Sequence, residues 1–249
     1  MKRRFTGLTD PGLVRSTNQD YYYLDPEGRF FVVADGMGGH SGGEEASRIA
    51  TQAVQHYLAE HWDGNEDSST LLKAAVLQAN EAILEDQRAH PERSDMGTTI
   101  VLAIFREEAD RPWCAHVGDS RLYRLRGAKL DQITEDHTWV ARATQIGDLT
   151  PEQARTHPWR HVLSQCLGRE GLNQVDIQCF AVQPGDRLLL CSDGLTEELP
   201  DRAIAHHLKT IRGCEKAAAA LIEAAKSKGG RDNITTIIIA FDDVNAEEE

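Results

Sequence analysis

The sequence predicts an α+β fold built on antiparallel sheet, and three observations carry that prediction. Strand-like and helix-like segments come in blocks rather than in strict alternation, which argues against a doubly wound parallel sheet. Short connections such as Gly118-Asp119-Ser120, between apolar runs at 113–117 and 121–125, favour antiparallel hairpins, because parallel strands need long crossovers. Several runs, among them 234–241, are apolar almost throughout, as expected of strands covered on both faces.

Residues 30–34 (FFVVA) read as a buried strand. The strand ends in the glycine-rich stretch Asp35-Gly36-Met37-Gly38-Gly39-His40-Ser41-Gly42-Gly43. Ser41 and Glu44 have capping-box spacing. A helix should follow, since Ala46, Ile49, Ala50, Ala53, Val54, Tyr57 and Leu58 recur at helical spacing. After a polar loop at 63–69, a second helix places Leu72, Ala75, Val76, Ala79 and Ile83 on one face. Strands are expected at 98–105, 113–117 and 121–125, with 118–120 as a hairpin turn. Residues 136–170 lose periodicity around Pro151, His157, Pro158 and His161 and read as an insertion with short helices at 152–155 and 160–166. Strands at 176–182 and 187–191, a helix at 215–226 stopped by Gly229-Gly230, and a last strand at 234–241 complete the pattern. One domain over 1–243 with an acidic tail at 244–249 is the expected organisation.

Acidic residues outnumber basic ones 40 to 27, for a formal charge of −13. That balance opposes binding to nucleic acid, which requires clustered Lys and Arg, and to anionic membranes. Convergent carboxylates would instead need a cation. The odd number of cysteines, five, and the lack of CxxC spacing suggest reduced thiols and a reducing compartment. No apolar stretch follows the basic start Met1-Lys2-Arg3-Arg4, and no run approaches the roughly 20 residues of a membrane span. The cytoplasm is the expected location.

The chemistry lies in where aspartates fall. Asp35 ends FFVVAD, Asp119 ends AHVGD, Asp193 ends LLLCSD, and Asp232 precedes NITTIIIAF. Asp20 closes the loop VRSTNQD, which also carries Arg15. Carboxylate oxygens suit Mg²⁺ and Mn²⁺. The ten histidines form neither HxH nor HExxH, so zinc chemistry has no motif here. Arg15 can fork two phosphate oxygens, and His40 is a candidate proton donor. No cysteine has an arginine six residues on, and no GxSxG elbow is present. Spacing alone leaves open whether these aspartates meet.

Six segments in order, RSTNQD (15–20), VADGMGGHSGGEEAS (33–47), MGTTIV (96–101), AHVGDSRLYRLR (115–126), LLLCSDGLTEEL (188–199) and GGRDNITTIII (229–239), resemble the metal-dependent PPM (type 2C) serine/threonine protein phosphatases. The resemblance is strongest to compact bacterial members, especially the cyanobacterial PII-phosphatase type, and 136–170 is similar to their flap subdomain. It implies a four-layer αββα sandwich of two antiparallel sheets with two core Mg²⁺ or Mn²⁺ ions and a third, weaker site. Asp35 would bridge the core metals, the Gly36 carbonyl would bind one, and Asp193 and Asp232 would complete the other. Asp119 with Asp193 would form the third site. Asp20 would hold metal-bound water, Arg15 the substrate phosphate, and Asn233 the water network. Where some members carry histidine after the Asp-Gly pair, this chain has Met37, with His40 three residues later. The implied reaction is one-step attack of metal-activated water on a phosphate monoester of a protein. Phosphorylated PII-type signalling protein is a candidate substrate, and a monomer is expected. A phosphate-recognising pseudoenzyme and a hydrolase of small phosphate esters are the alternatives.

Overall fold

A computed structural model describes residues 2–39, 42–106, 110–172 and 174–242. His40, Ser41 and the acidic tail lie outside the described residues, so the expectations placed on them have no structural counterpart here. Eleven strands and seven α-helices are formed among the described residues: β1 (Lys2–Asp10), β2 (Asp20–Leu24), β3 (Phe30–Met37), α1 (Gly42–His61), α2 (Ser68–Ala89), β4 (Gly97–Thr98), β5 (Ile100–Ile104), β6 (Trp113–Val117), β7 (Arg121–Arg126), β8 (Lys129–Gln132), α3 (Trp139–Gln145), α4 (Pro151–Thr156), β9 (Asp176–Cys179), β10 (Arg187–Cys191), α5 (Asp193–Thr196), α6 (Asp201–Thr210), α7 (Cys214–Lys228) and β11 (Ile234–Asp242).

The strands form two antiparallel sheets. One runs β1-β11-β10-β7-β8; the other runs β2-β3-β5-β6-β9, with β4 beside β3. Alternation along the central strands explains their unbroken apolar sequence. Phe30 and Val32 of β3, with Ile100, Leu102 and Ile104 of β5, face α1 and α2. Phe31 and Val33, Val101 and Ala103, Leu188 and Leu190 of β10, and Ile237 and Ile239 of β11 meet between the sheets. Leu189 and Cys191, with Ile234 and Ile238, face α6 and α7. Each central strand thus divides its side chains between two cores, and the layers are αββα, as the resemblance implied. Each fully buried Ile, Leu or Phe in these layers contributes roughly 1.5–3 kcal/mol.

Two local expectations fail. Segment 118–120 is not a hairpin turn. β6 pairs with β5 and β9, whereas β7 pairs with β10 and β8, so the chain leaves one sheet and enters the other. Gly118 makes this possible: its φ is +108°, and a Cβ there would come within 2.6 Å of Thr99. The hairpin is one step later, between β7 and β8. The helix expected at 160–166 does not form either. Its backbone pairs across the chain, with Trp139 donating to the Val162 carbonyl, Ser164 to that of His137, and Leu167 to that of Thr98. Within the same insertion α4 forms where expected, capped reciprocally by Thr150 and Gln153. Helix α3, capped by Thr138, was not anticipated.

Candidate metal centre and active site

One edge of the sandwich collects the strand ends that carry aspartate. Asp35 lies near the end of β3, Asp119 on the crossing between sheets, Asp193 at the start of α5 just after β10, and Asp232 just before β11. A cleft of about 650 Å³ opens there, and all four line it with Arg15 and Gly36. The convergence that spacing could not establish is therefore present. The sheet crossing at Gly118 is what brings Asp119 to it.

Backbone contacts fix the cleft floor. The Asp35 carbonyl accepts from the Thr99 amide at 2.8 Å and from the Thr98 hydroxyl at 2.8 Å, and the Asp35 amide donates to Thr99 Oγ1 at 3.1 Å. Gly36 is pressed against the start of α1, where a Cβ would lie 1.9 Å from the Gly43 carbonyl oxygen. Only glycine fits, whatever its φ.

Asp20 sits behind this floor, in register with Asp35 across β2 and β3. Its Oδ2 accepts from Ser192 Oγ at 2.7 Å and from Thr235 Oγ1 at 2.6 Å. Its Oδ1 is buried without a donor. Asp20 thus ties β2 to the residue before Asp193 and to the strand after Asp232. Asn233 is equally engaged. Its Oδ1 accepts from the Gln19 amide at 2.8 Å, and its Nδ2 donates to the carbonyls of Pro11 at 3.0 Å and Thr17 at 2.9 Å. The side chain anchors the loop that carries Arg15. Arg15 is half-exposed at the rim, with Nη2 2.6 Å from Asp232 Oδ2.

The electrostatics are those of a set of carboxylates awaiting positive charge. Burial first, then the charges of Asp20, Asp193, Asp119 and Asp232, raise the Asp35 carboxyl well above its ordinary range. Burial, then Asp119, Glu197 and Asp232, do the same to Asp193. Asp119 is pushed up to about 7 by burial and then by Asp136. Asp20 is pushed up to about 6, chiefly by burial, against the lowering effect of its two hydroxyl donors. Opposite charge reverses such shifts. Oxygen donors of this kind, with a donorless buried oxygen among them, fit hard divalent cations.

Other cleft residues escaped the sequence reading. Glu197 pairs with His161, and a ligand atom from each of His161, Asp193 and Glu197 lies within 4.8 Å of the others. Glu197 was legible in principle, because four residues on from Asp193 is one helical turn. His161, Arg160 and Arg169 reach the cleft from the insertion, and Arg231 from the loop before Asp232; no local signal marks them. Cys166 also lines the cleft, but burial raises its thiol above the usual range.

A two-layered sheet edge that gathers four aspartates, with Arg15 at its rim, has the donor set of a carboxylate metal centre beside an anion-binding rim. Residues 14–231 match the family described as Protein phosphatase 2C, and the chain belongs to that family. It is 38% identical over 235 residues to serine/threonine protein phosphatase PstP of Mycobacterium tuberculosis, covering 94% of this chain and 44% of PstP. The chain thus spans less than half the length of that relative. It is 35% identical over 243 residues to serine/threonine phosphatase stp of Listeria monocytogenes, covering 94% of both. The solved catalytic domain of PstP in complex with two manganese ions superposes with a TM-score of 0.86 at 34% identity, over 97% of this chain and 99% of that one.

Proposed function

We propose that the chain is a Mg²⁺- or Mn²⁺-dependent protein-serine/threonine phosphatase. The observation that carries this is the meeting of Asp35, Asp119, Asp193 and Asp232 in one cleft beside Arg15. The names of the relatives and the two manganese ions in PstP support it.

Asp35, the Gly36 carbonyl, Asp193 and Asp232 would hold two core ions, and Asp119 with Asp193 a third. When bound, such ions neutralise phosphate charge and lower the pKa of a water toward neutrality. Arg15 binds the phosphoryl oxygens and orients them. Its present partner, Asp232, would release one arm of the guanidinium as a ligand arrives. Asp20 holds the loops bearing Asp193 and Asp232 at fixed separation and keeps one acceptor oxygen for a water. Water attacks phosphorus directly, the phosphorus–oxygen ester bond breaks, and the serine or threonine oxygen leaves with a proton. His40 is the proton donor proposed from the sequence. No phosphoenzyme is required, in keeping with a Cys166 thiol that burial keeps protonated.

Phosphorylated PII-type signalling protein is the candidate substrate that follows from the sequence resemblance, with the insertion at 136–170 selecting it. A cytoplasmic monomer is the proposed state; no helix among the described residues is long and apolar enough to cross a membrane. The test is Mn²⁺-dependent hydrolysis of a phosphopeptide by the Asp193→Ala variant. Activity should fall by about a thousandfold or more, as when a main electrostatic stabiliser is removed. Turnover near that of the unaltered protein would refute the metal assignment.

A further inference from the structure

A second cluster of ligating side chains lies away from the catalytic cleft, at the β6–β9 edge of the six-stranded sheet. His116 of β6 and Asp176 of β9 are direct cross-strand partners. His137, at the root of the insertion, stacks on His116 with ring centroids 4.6 Å apart. A ligand atom from each of the three lies within 4.8 Å of the others. The proposed phosphatase mechanism uses none of them.

The hydrogen bonds of His116 leave one of its nitrogens free for a metal. His116 is buried at 1% exposure. Its Nε2 faces the Glu135 carbonyl at 2.7 Å, which fixes the proton there and leaves a lone pair on Nδ1. That Nδ1 is buried and has no partner. A histidine whose second nitrogen donates to a backbone carbonyl is the usual arrangement of a metal ligand. His137 Nδ1 accepts from the Gly118 amide at 3.2 Å, so its proton is on Nε2, 3.2 Å from Asp176 Oδ2. Asp176 is partly exposed, giving an ion a path from solvent and a fourth position for water.

We infer that His116, His137 and Asp176 form a binding site for a d-block divalent cation of the Zn²⁺ type, separate from the proposed Mg²⁺ or Mn²⁺ centre. Two imidazoles and one carboxylate suit zinc or cobalt rather than magnesium. Contraction of the ligand atoms to roughly 3.4 Å apart would give tetrahedral geometry at zinc–nitrogen lengths. Loading takes the His137 Nε2 lone pair, so the ring proton moves to Nδ1 and the Gly118 amide loses its acceptor. The ion is thereby coupled to the residue that precedes Asp119.

The experiment titrates Co²⁺ into the Asp193→Ala variant in excess Mg²⁺ and reads visible absorption and the Gly118 amide resonance. One equivalent of Co²⁺ should give tetrahedral d–d bands, displaceable by Zn²⁺, and should shift the Gly118 amide. Adding Asp176→Asn keeps an oxygen for His137 Nε2–H to donate to, and hence the local fold, but should weaken Co²⁺ at least tenfold. The same pair of measurements without Asp193→Ala should show one bound ion fewer in the Asp176→Asn protein. Absence of a Co²⁺ site in the Asp193→Ala protein, or equal affinity with and without Asp176→Asn, overturns the assignment. Phosphatase activity enters neither readout, so this test stands or falls apart from the proposed function.

Discussion

At the scale of single residues, Arg15 and Gly36 act by different physics. Arg15 stands at the cleft rim with its guanidinium on Asp232, and its value lies in a planar fork that lysine lacks. Arg15→Lys should keep the charge and lose bidentate orientation. It should therefore lower kcat/KM on a phosphopeptide by roughly tenfold, and Arg15→Ala by roughly a hundredfold. Steady-state kinetics would check this, and equal activity in both variants would contradict a phosphate-binding role. Gly36 acts through space alone. A methyl group placed 1.9 Å from the Gly43 carbonyl must push β3 away from α1, and backbone on both sides cannot yield cheaply. Gly36→Ala should destabilise the fold by about 2 kcal/mol or more, as overpacking does, and should displace the carbonyl proposed as a ligand. Thermal unfolding with and without Mn²⁺ would separate the two effects.

At the scale of elements, the site depends on loops that sequence periodicity does not describe. The loop from Pro11 to Gln19 has no helix or strand within it, yet three hydrogen bonds with the Asn233 side chain hold it, two donated by its Nδ2 and one accepted by its Oδ1. Asn233→Ala would remove three hydrogen bonds to part-buried backbone groups, at about 0.5–1.5 kcal/mol each. The expected outcome is a lower unfolding midpoint together with a raised KM, because Arg15 rides on that loop; an unchanged KM would detach Arg15 from substrate binding. The central strands were legible because each feeds two cores and so is apolar along its length, as in 30–34 and 188–191. The edge strands β1 and β8 were not, since their mixed sequences, KRRFTGLTD and KLDQ, are set by pairing with β11 and β7. The crossing at Gly118 was misread because a three-residue link between strands looks alike whether it turns back or changes sheet; only the partners differ. The aspartates at strand ends were visible as residues. Their meeting was not, because it results from two sheets sharing one edge.

At the scale of the whole molecule, the carboxylate cleft makes stability depend on pH in a direction opposite to that of a salt-bridged acid. In the metal-free protein Asp20 sits at about 6 and Asp119 at about 7, against an ordinary value of 3.8, and Asp35 and Asp193 are also raised. Between the unfolded and folded values the native state binds more protons than the unfolded chain. Stability therefore falls as pH rises through that window, from about 4 to about 7 for the groups with stated values. For Asp20 alone the loss is on the order of 2–3 kcal/mol. A divalent cation removes the penalty by favouring the ionised forms, so its stabilisation should grow over the same range as protons cease to compete. Urea midpoints measured across this window in chelator should decline, and in excess Mg²⁺ they should decline less or rise. The chain's formal charge of −13 gives a general self-repulsion with the same sign, and one variant separates the two sources. Asp35→Asn removes the most central cleft carboxylate while changing the net charge by one, so it should flatten a large part of the slope in chelator. A slope unchanged by Asp35→Asn would place the pH dependence on the surface and away from the cleft.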